Sequence, residues 1–181
     1  DSADSFFNES IASARRLNNE VAEATRRGNY GYFLLLTARP QQALSALEYA
    51  LRLSQKLELT LQAAIQTDNL GLLYDQEGNY PKGLALHREA LTVIEPLKSV
   101  HWEQVVRLNL AGSLLATNQL EEARAFLEVA LTQGRADDDV ELLIRALTGK
   151  AHLALRSQQS ADAGEWLEEA VSRARKADMR R

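Results

Sequence analysis

Residues 69–94 read NLGLLYDQEGNYPKGLALHREALTVI. Apolar residues recur at helical spacing on both sides of Gly78-Asn79, and a glycine at this position is typical of a helix C-terminus. Pro81 follows, and proline suits the first turn of a helix because its missing N–H would be unpaired there. The stretch therefore predicts two helices joined by a short turn, with the second helix ending before Pro96.

The same pattern recurs along the chain with a period of 40 residues. Three aligned sets hold small residues: Gly31, Gly71, Ala111 and Ala151; Ala43, Gly83, Ala123 and Ala163; Ala50, Ala90, Ala130 and Ala170. A fourth set is mostly large: Leu47, His87, Leu127 and Leu167. We predict that the small residues let paired helices approach closely and that the large ones fill the space between neighbouring units. One helical pair cannot bury its own apolar face, so successive pairs are expected to stack.

This register predicts an all-α chain of about nine helices, in which helices A and B alternate within each unit. Residues 1–17 fit the second half of one unit, and four full units follow at about 18–57, 58–97, 98–137 and 138–177. We expect a single solenoid domain over residues 1–181. Because the chain starts with Asp1 in the middle of a repeat, we expect it to be a fragment of a longer protein.

Composition narrows the possible classes of protein. Hydrophobic residues make up 45% of the chain and charged residues 25%, as in ordinary globular proteins. The chain has no cysteine, which excludes disulfides and thiolate metal sites. A net charge of −4 does not favour nucleic acid or a membrane surface as partner. No stretch is apolar enough to span a membrane, and we predict a cytoplasmic protein without a cofactor.

The residues Leu70, Gly71, Tyr74, Gly83 and Ala90 resemble the signature of the tetratricopeptide repeat. The third unit matches through Leu110, Ala111, Leu114, Ala123, Leu127 and Ala130, whereas Lys150 stands where the fourth unit would ordinarily have leucine. The resemblance implies a right-handed superhelical solenoid of antiparallel helix pairs. The 40-residue period resembles the arrays of kinesin light chain and the repeat domains of large bacterial regulators.

The family resemblance implies a non-catalytic scaffold that binds a protein or peptide in a concave groove lined by the A helices. Asn29, Asn69 and Asn109 occupy one equivalent position of three A helices. An asparagine side chain both donates and accepts hydrogen bonds, which suits the backbone of an extended peptide. In 40-residue relatives an asparagine ladder at the matching position contacts peptide. The alternative is that each asparagine caps or bridges neighbouring helices.

Residues three, four or seven positions away share a helix face with these asparagines. The candidate peptide-binding residues are Asn29, Tyr32, Asp68, Asn69, Gln76, Asn109, Arg145, His152 and Arg156. The second A helix is thus partly acidic and the last is basic, which predicts a graded charge that would orient a ligand. The alternative interpretation is an ordinary solvated face.

Other polar features point to structure rather than chemistry. The run of Asp137, Asp138 and Asp139 with Glu141 has the composition of a metal loop, but it precedes a helix, where carboxylates cap N–H groups. The three histidines lack the spacing of a zinc helix. Trp166 aligns with packing positions. No phosphate-binding loop, nucleophile elbow or dinucleotide fingerprint is present, and we predict that the chain is not an enzyme.

Two further hypotheses concern partners. The chain could be a ligand-sensing or oligomerising arm of a larger bacterial signal-transduction or transcription regulator, with small molecules or other domains of the same protein as partners. Self-association is the third possibility, with Phe6 and Phe7 as a candidate apolar face.

Overall fold

The structure, a computed structural model, describes residues 2–178. These residues form nine α-helices and one short 3₁₀ helix at Glu95–Leu97, with no strand among them, so the prediction of an all-α fold is confirmed. The helices are α1 Ser2–Arg16, α2 Glu20–Leu36, α3 Pro40–Lys56, α4 Thr60–Gln76, α5 Tyr80–Ile94, α6 Val100–Ala116, α7 Leu120–Ala136, α8 Val140–Arg156 and α9 Ser160–Asp178. In the predicted alternation, α2, α4, α6 and α8 are A helices and the others are B helices.

The turns between helices share one backbone conformation. A residue with positive φ recurs at intervals of 20 residues: Asn18, Ala38, Glu58, Gly78, Lys98, Asn118, Asp138 and Gln158. After α2, the N–H of Arg39 donates to the Leu34 carbonyl at 2.9 Å and that of Ala38 to Leu35 at 3.1 Å. This pair of bonds is the Schellman C-cap. The predicted left-handed cap at Gly78 is confirmed, and the same device ends helices that lack a glycine.

Ala38 and Gly78 occupy equivalent turns and allow a matched test of this conformation. A left-handed backbone costs a residue with a Cβ about 1–2 kcal/mol. We therefore expect Ala38→Gly to raise the free energy of unfolding by about 1 kcal/mol and Gly78→Ala to lower it by a similar amount. A Cβ at Gly78 would meet no atom within 4 Å, so no clash complicates the comparison. Urea titration measures both, and changes of the same sign would contradict the expectation.

The contacts of the chain divide it into two compact units, residues 1–98 and 99–181. In the first, α2 packs on α3, α4 packs on α5, and α3 packs on α4. A Cβ at Gly31 would lie 2.6 Å from Leu47 Cδ2, and one at Gly71 would lie 2.6 Å from His87 Cε1. The prediction that Gly31 and Gly71 let the paired helices approach closely is thereby confirmed for α2 on α3 and for α4 on α5. Leu47 and His87 each pack against the small residue of their own pair, and Leu47 also belongs to a core cluster with Leu70 and Leu73 of the next pair.

At the start of this unit, α1 is attached to α2 and α3 through both rings and charges. Phe7 lies 5.2 Å from the rings of Tyr30 and Phe33. Asp4 accepts hydrogen bonds from Arg39 at 2.7 Å and from the Tyr30 hydroxyl at 2.9 Å, and these bonds lower its pKa. Of the two phenylalanines expected to form an apolar face, Phe6 is exposed and Phe7 is partly buried.

In the second unit, α6 packs on α7 and α8, and α8 packs on α7 and α9. Trp166 of α9 lies against the buried Ala151, Ala154 and Ala163, which confirms its interpretation as a packing residue. Asp139 caps α8, because its Oδ1 accepts from the Leu142 N–H at 3.0 Å. The acidic run before α8 therefore includes a helix cap, as predicted.

The last helix carries exposed apolar side chains. Leu167 is 41% exposed and Val171 is 48% exposed, whereas Leu127 and Leu131, their equivalents on α7, are 1% and 4% exposed. The α7 pair is buried in part by α8, since Leu127 packs over Gly149. Leu167 thus does not fill an interior space, contrary to its place in the large-residue set. Within residues 2–178, none of the helices is long and apolar enough to cross a membrane.

Candidate binding site

The predicted site residues of the first unit are partly exposed and partly committed to the interior. Asn29, Tyr32 and Gln76 are exposed on α2 and α4. Asn69 is buried, and its Nδ2 donates to Gln66 Oε1 at 3.3 Å. The Gln66 side chain in turn lies over Gly28 of α2, so the polar pair joins two successive A helices. Asn69 itself is thus paired within α4, and the contact with α2 is made by Gln66.

Asp68 also points inward. Its Oδ1 lies 2.6 Å from Nδ1 of His87, and both residues are buried. Asp75 Oδ2 lies 3.2 Å from Nε2 of the same ring. The prediction that Asp68 contributes to an acidic surface on α4 was therefore wrong, because this carboxylate faces the imidazole of α5 rather than the solvent.

The environment of His87 favours its charged form. Burial of the ring opposes protonation, but the hydrogen bonds and charges of Asp68 and Asp75 outweigh it and raise the pKa of His87 to about 9. The three residues form a buried ionic cluster, which we call the His87 cluster. Since the cluster joins Asp68 and Asp75 of α4 to His87 of α5, it belongs to the fold rather than to a binding surface.

In the second unit the structure brings two predicted site residues together. Arg145 Nη2 of α8 donates to Asn109 Oδ1 of α6 at 2.6 Å. His152 and Arg156 are exposed further along α8, and Arg156 lies 3.4 Å from Asn118 Oδ1. The charge-assisted bond at Arg145 fixes the spacing of two A helices and holds a guanidinium at their junction.

A cavity of about 300 Å³ opens beside this junction. It lies where α6 and α8 begin and where α7 ends. Its lining combines apolar, amide and charged side chains: Val100, His101, Gln104, Val105, Gln133, Asp137, Asp139, Glu141, Leu142 and Arg145. Ligand pockets in proteins start at about this size and share this mixture of apolar walls and few polar groups. Arg145 and Val105 are the residues of the predicted A-helix face that line the cavity.

Gln104 is a cavity residue that the sequence did not single out. Its side chain is 7% exposed, and its Oε1 accepts no hydrogen bond from any described residue. A buried carboxamide oxygen without a hydrogen-bond donor costs stability, and native proteins keep few such atoms. The signal in the sequence was weak, because a lone glutamine near a helix start is ordinary.

The acidic side chains of the cavity have different surroundings. Asp139 is the cap of α8, and Asp137 Oδ2 accepts from Gln133 Nε2 at 2.6 Å. Glu141 is exposed and forms no ion pair within residues 2–178. No group of histidine and carboxylate side chains in the same residues could hold a metal ion. The polar groups here are suited to hydrogen bonding and charge pairing.

Pairs of helices that repeat every 40 residues, with small residues where the helices cross, define a helical-repeat protein. The model of the tetratricopeptide repeat family matches residues 61–136, which confirms the predicted family over α4 to α7. Repeats of this family are generally scaffolds for protein interaction. The family and its all-helical fold are typically non-catalytic.

The search of solved structures found 26 matching chains. One is BtubC (BKLC) from P. vanneervenii, a kinesin-light-chain-like repeat protein. The likeness has a TM-score of 0.75 at 17% sequence identity, and it covers 98% of this chain and 74% of that one. At this identity the likeness establishes the fold alone. None of the curated proteins matches the sequence.

Proposed function

We propose that this chain is a scaffold that binds a peptide segment of a partner protein at the junction of α6 and α8. The cavity beside Arg145 carries this proposal. It combines apolar side chains with the unpartnered carboxamide oxygen of Gln104 and with the guanidinium of Arg145.

The Arg145 side chain supplies donors for such a peptide. A guanidinium has five N–H donors, and the described residues accept a hydrogen bond from it only at Asn109. The bond to Asn109 reduces the side-chain freedom that binding would otherwise have to restrict. Backbone carbonyls of an extended peptide are the matching acceptors.

The exposed residues of the other A helices extend the proposal. His152 and Arg156 lie on α8 with Arg145 and are accessible to a longer ligand. Asn29, Tyr32 and Gln76 are exposed in the first unit. Asn69 and Asp68 are assigned to packing, because each has a buried partner in its own unit. Of the aligned asparagines, Asn109 thus contributes to binding by positioning Arg145, whereas Asn69 contributes to the fold.

The test uses peptides selected from a random display library against the immobilised chain. Their affinities are measured by fluorescence polarisation for the unchanged chain and for Arg145→Ala and Asn109→Ala. We expect Arg145→Ala to weaken binding by about tenfold or more, as loss of a charged hydrogen bond does. Asn109→Ala should weaken it less, because it removes only the partner that positions Arg145.

Arg124→Ala is the matched control, since Arg124 lies on α7 outside the cavity and pairs with Glu121. It should leave peptide affinity unchanged. Circular dichroism and urea titration confirm that each variant is folded. Selected peptides that bind Arg145→Ala and the unchanged chain equally well would contradict the proposal.

A further inference from the structure

The cavity at the start of α6 and α8 has an unmet acceptor. Gln104 Oε1 is shielded from solvent and has no hydrogen-bond donor among residues 2–178. The terminal torsion of glutamine is soft, so this oxygen can turn toward a donor within the cavity that the residue lines. An acceptor left unpaired in the free chain costs stability, and a ligand that brings an N–H recovers this energy.

The charges around the cavity favour a cation. Asp137, Asp139 and Glu141 line it and outnumber the guanidinium of Arg145. Arg145 is directed at Asn109 Oδ1, which it reaches at 2.6 Å. Asp137 and Asp139 are occupied by Gln133 and by the first turn of α8, whereas Glu141 has no cationic partner within the described chain. Glu141 is therefore the carboxylate that is available to a positively charged ligand.

The remaining wall is apolar. Val100, Val105 and Leu142 present methyl groups to the cavity. Lysine and arginine carry a stem of methylenes below a charged head, and such stems pack on apolar surface while the head keeps polar contacts. Anionic and purely aliphatic side chains each fit only part of this lining.

We infer that the cavity receives the cationic side chain of a lysine or arginine in the bound peptide. Its methylenes lie against Val105 and Leu142, its N–H groups donate to Gln104 Oε1, and Glu141 supplies the opposite charge. This inference rests on the proposed function, which it deepens by assigning the class of residue that the scaffold selects.

The experiment uses capped single amino acids as probes, so it does not depend on any selected peptide. N-acetyl-arginine methylamide is titrated into the isotope-labelled chain, and the side-chain amide signal of Gln104 is followed by NMR. Capped norleucine, which keeps the methylenes, and capped glutamate are the comparison probes. We expect saturable shifts at Gln104, Val105 and Leu142 with arginine, and affinities at least about tenfold weaker with the other two.

Two variants separate the contributions. Glu141→Gln and Gln104→Leu should each weaken arginine binding by about five- to tenfold, whereas Glu121→Gln on the exposed face of α7 should not. Gln104→Leu should also leave the urea midpoint unchanged or raise it, because the buried carboxamide oxygen has no hydrogen bond to lose. A fall in that midpoint would assign Gln104 to the fold and overturn the inference.

The outcomes distinguish this inference from the proposed function. Equal binding of arginine, norleucine and glutamate, or unchanged binding by Glu141→Gln, overturns the cationic assignment. If selected peptides nevertheless require Arg145, the scaffold function stands without that assignment. If arginine occupies the cavity while selected peptides ignore Arg145, the proposed peptide surface fails instead.

Discussion

Replacing His87 with leucine is expected to lower the free energy of unfolding by about 3–5 kcal/mol. Removal of the imidazolium leaves Asp68 buried and Asp75 partly buried without the cation that lies between them, and breaking a buried ion pair costs this much. Leucine has room at this position, because Leu47 packs over Gly31 in the same way that His87 packs over Gly71. The loss therefore measures the charge and not a clash.

His152→Leu is the matched control for this substitution, since His152 is exposed on α8. An exposed substitution of this kind should change stability by no more than about 0.5 kcal/mol. Both variants are compared with the unchanged chain by urea titration at pH 7. A His87→Leu variant within about 1 kcal/mol of the original would show that the two carboxylates do not depend on His87.

Alkaline pH is expected to destabilise the chain through the same residue. The pKa of His87 is raised from 6.5 to about 9, so between these values the folded chain holds one proton more than the unfolded chain. The free energy of unfolding then falls by about 1.4 kcal/mol for each pH unit. The stabilisation is fully present below pH 6.5, and about 3 kcal/mol is lost as the pH rises through 9.

Urea titrations from pH 6 to pH 10 measure this dependence. His87→Leu removes the titrating group, so the free energy of unfolding of this variant should lack the decrease with pH that His87 causes. His152→Leu should retain it. A slope that is the same with and without His87 would mean that the imidazole is neutral in the folded chain.

The fold was largely predictable from the sequence. The period of 40 and the small residues at 31, 71, 111 and 151 predicted the helix pairs, because close helix crossings tolerate only small side chains. The turns were predictable where glycine or proline marked them. The left-handed residue Glu58 was not, because the Schellman hydrogen bonds of Glu58 and Leu59 outweigh the preference of its side chain.

The site was predictable only in part. Arg145 and Asn109 were predicted as candidates from their register, and the structure joins them by a hydrogen bond. Gln104 was missed, because an unpartnered buried amide is recognised only from its surroundings. The His87 cluster did leave a signal. Asp75 stands at a position where the neighbouring repeats have Leu35 and Leu115. His87, in the same repeat as Asp75, stands where its neighbours have Leu47 and Leu127. Coincident polar residues at core positions indicate that they pair.

The sequence by itself determined the class of structure, since periodicity and residue size dictate which helices form and which faces they bury. The tertiary structure decided which polar residues of those faces remain available. Asn29, Asn69 and Asn109 are equivalent in the sequence, yet the first is exposed, the second bonds Gln66, and the third accepts from Arg145. The physical reason is that the partner within hydrogen-bond distance decides what a polar group does. Packing between helices decides which partners these are, since Gln66 lies against Gly28 of α2 and Arg145 reaches Asn109 from α8.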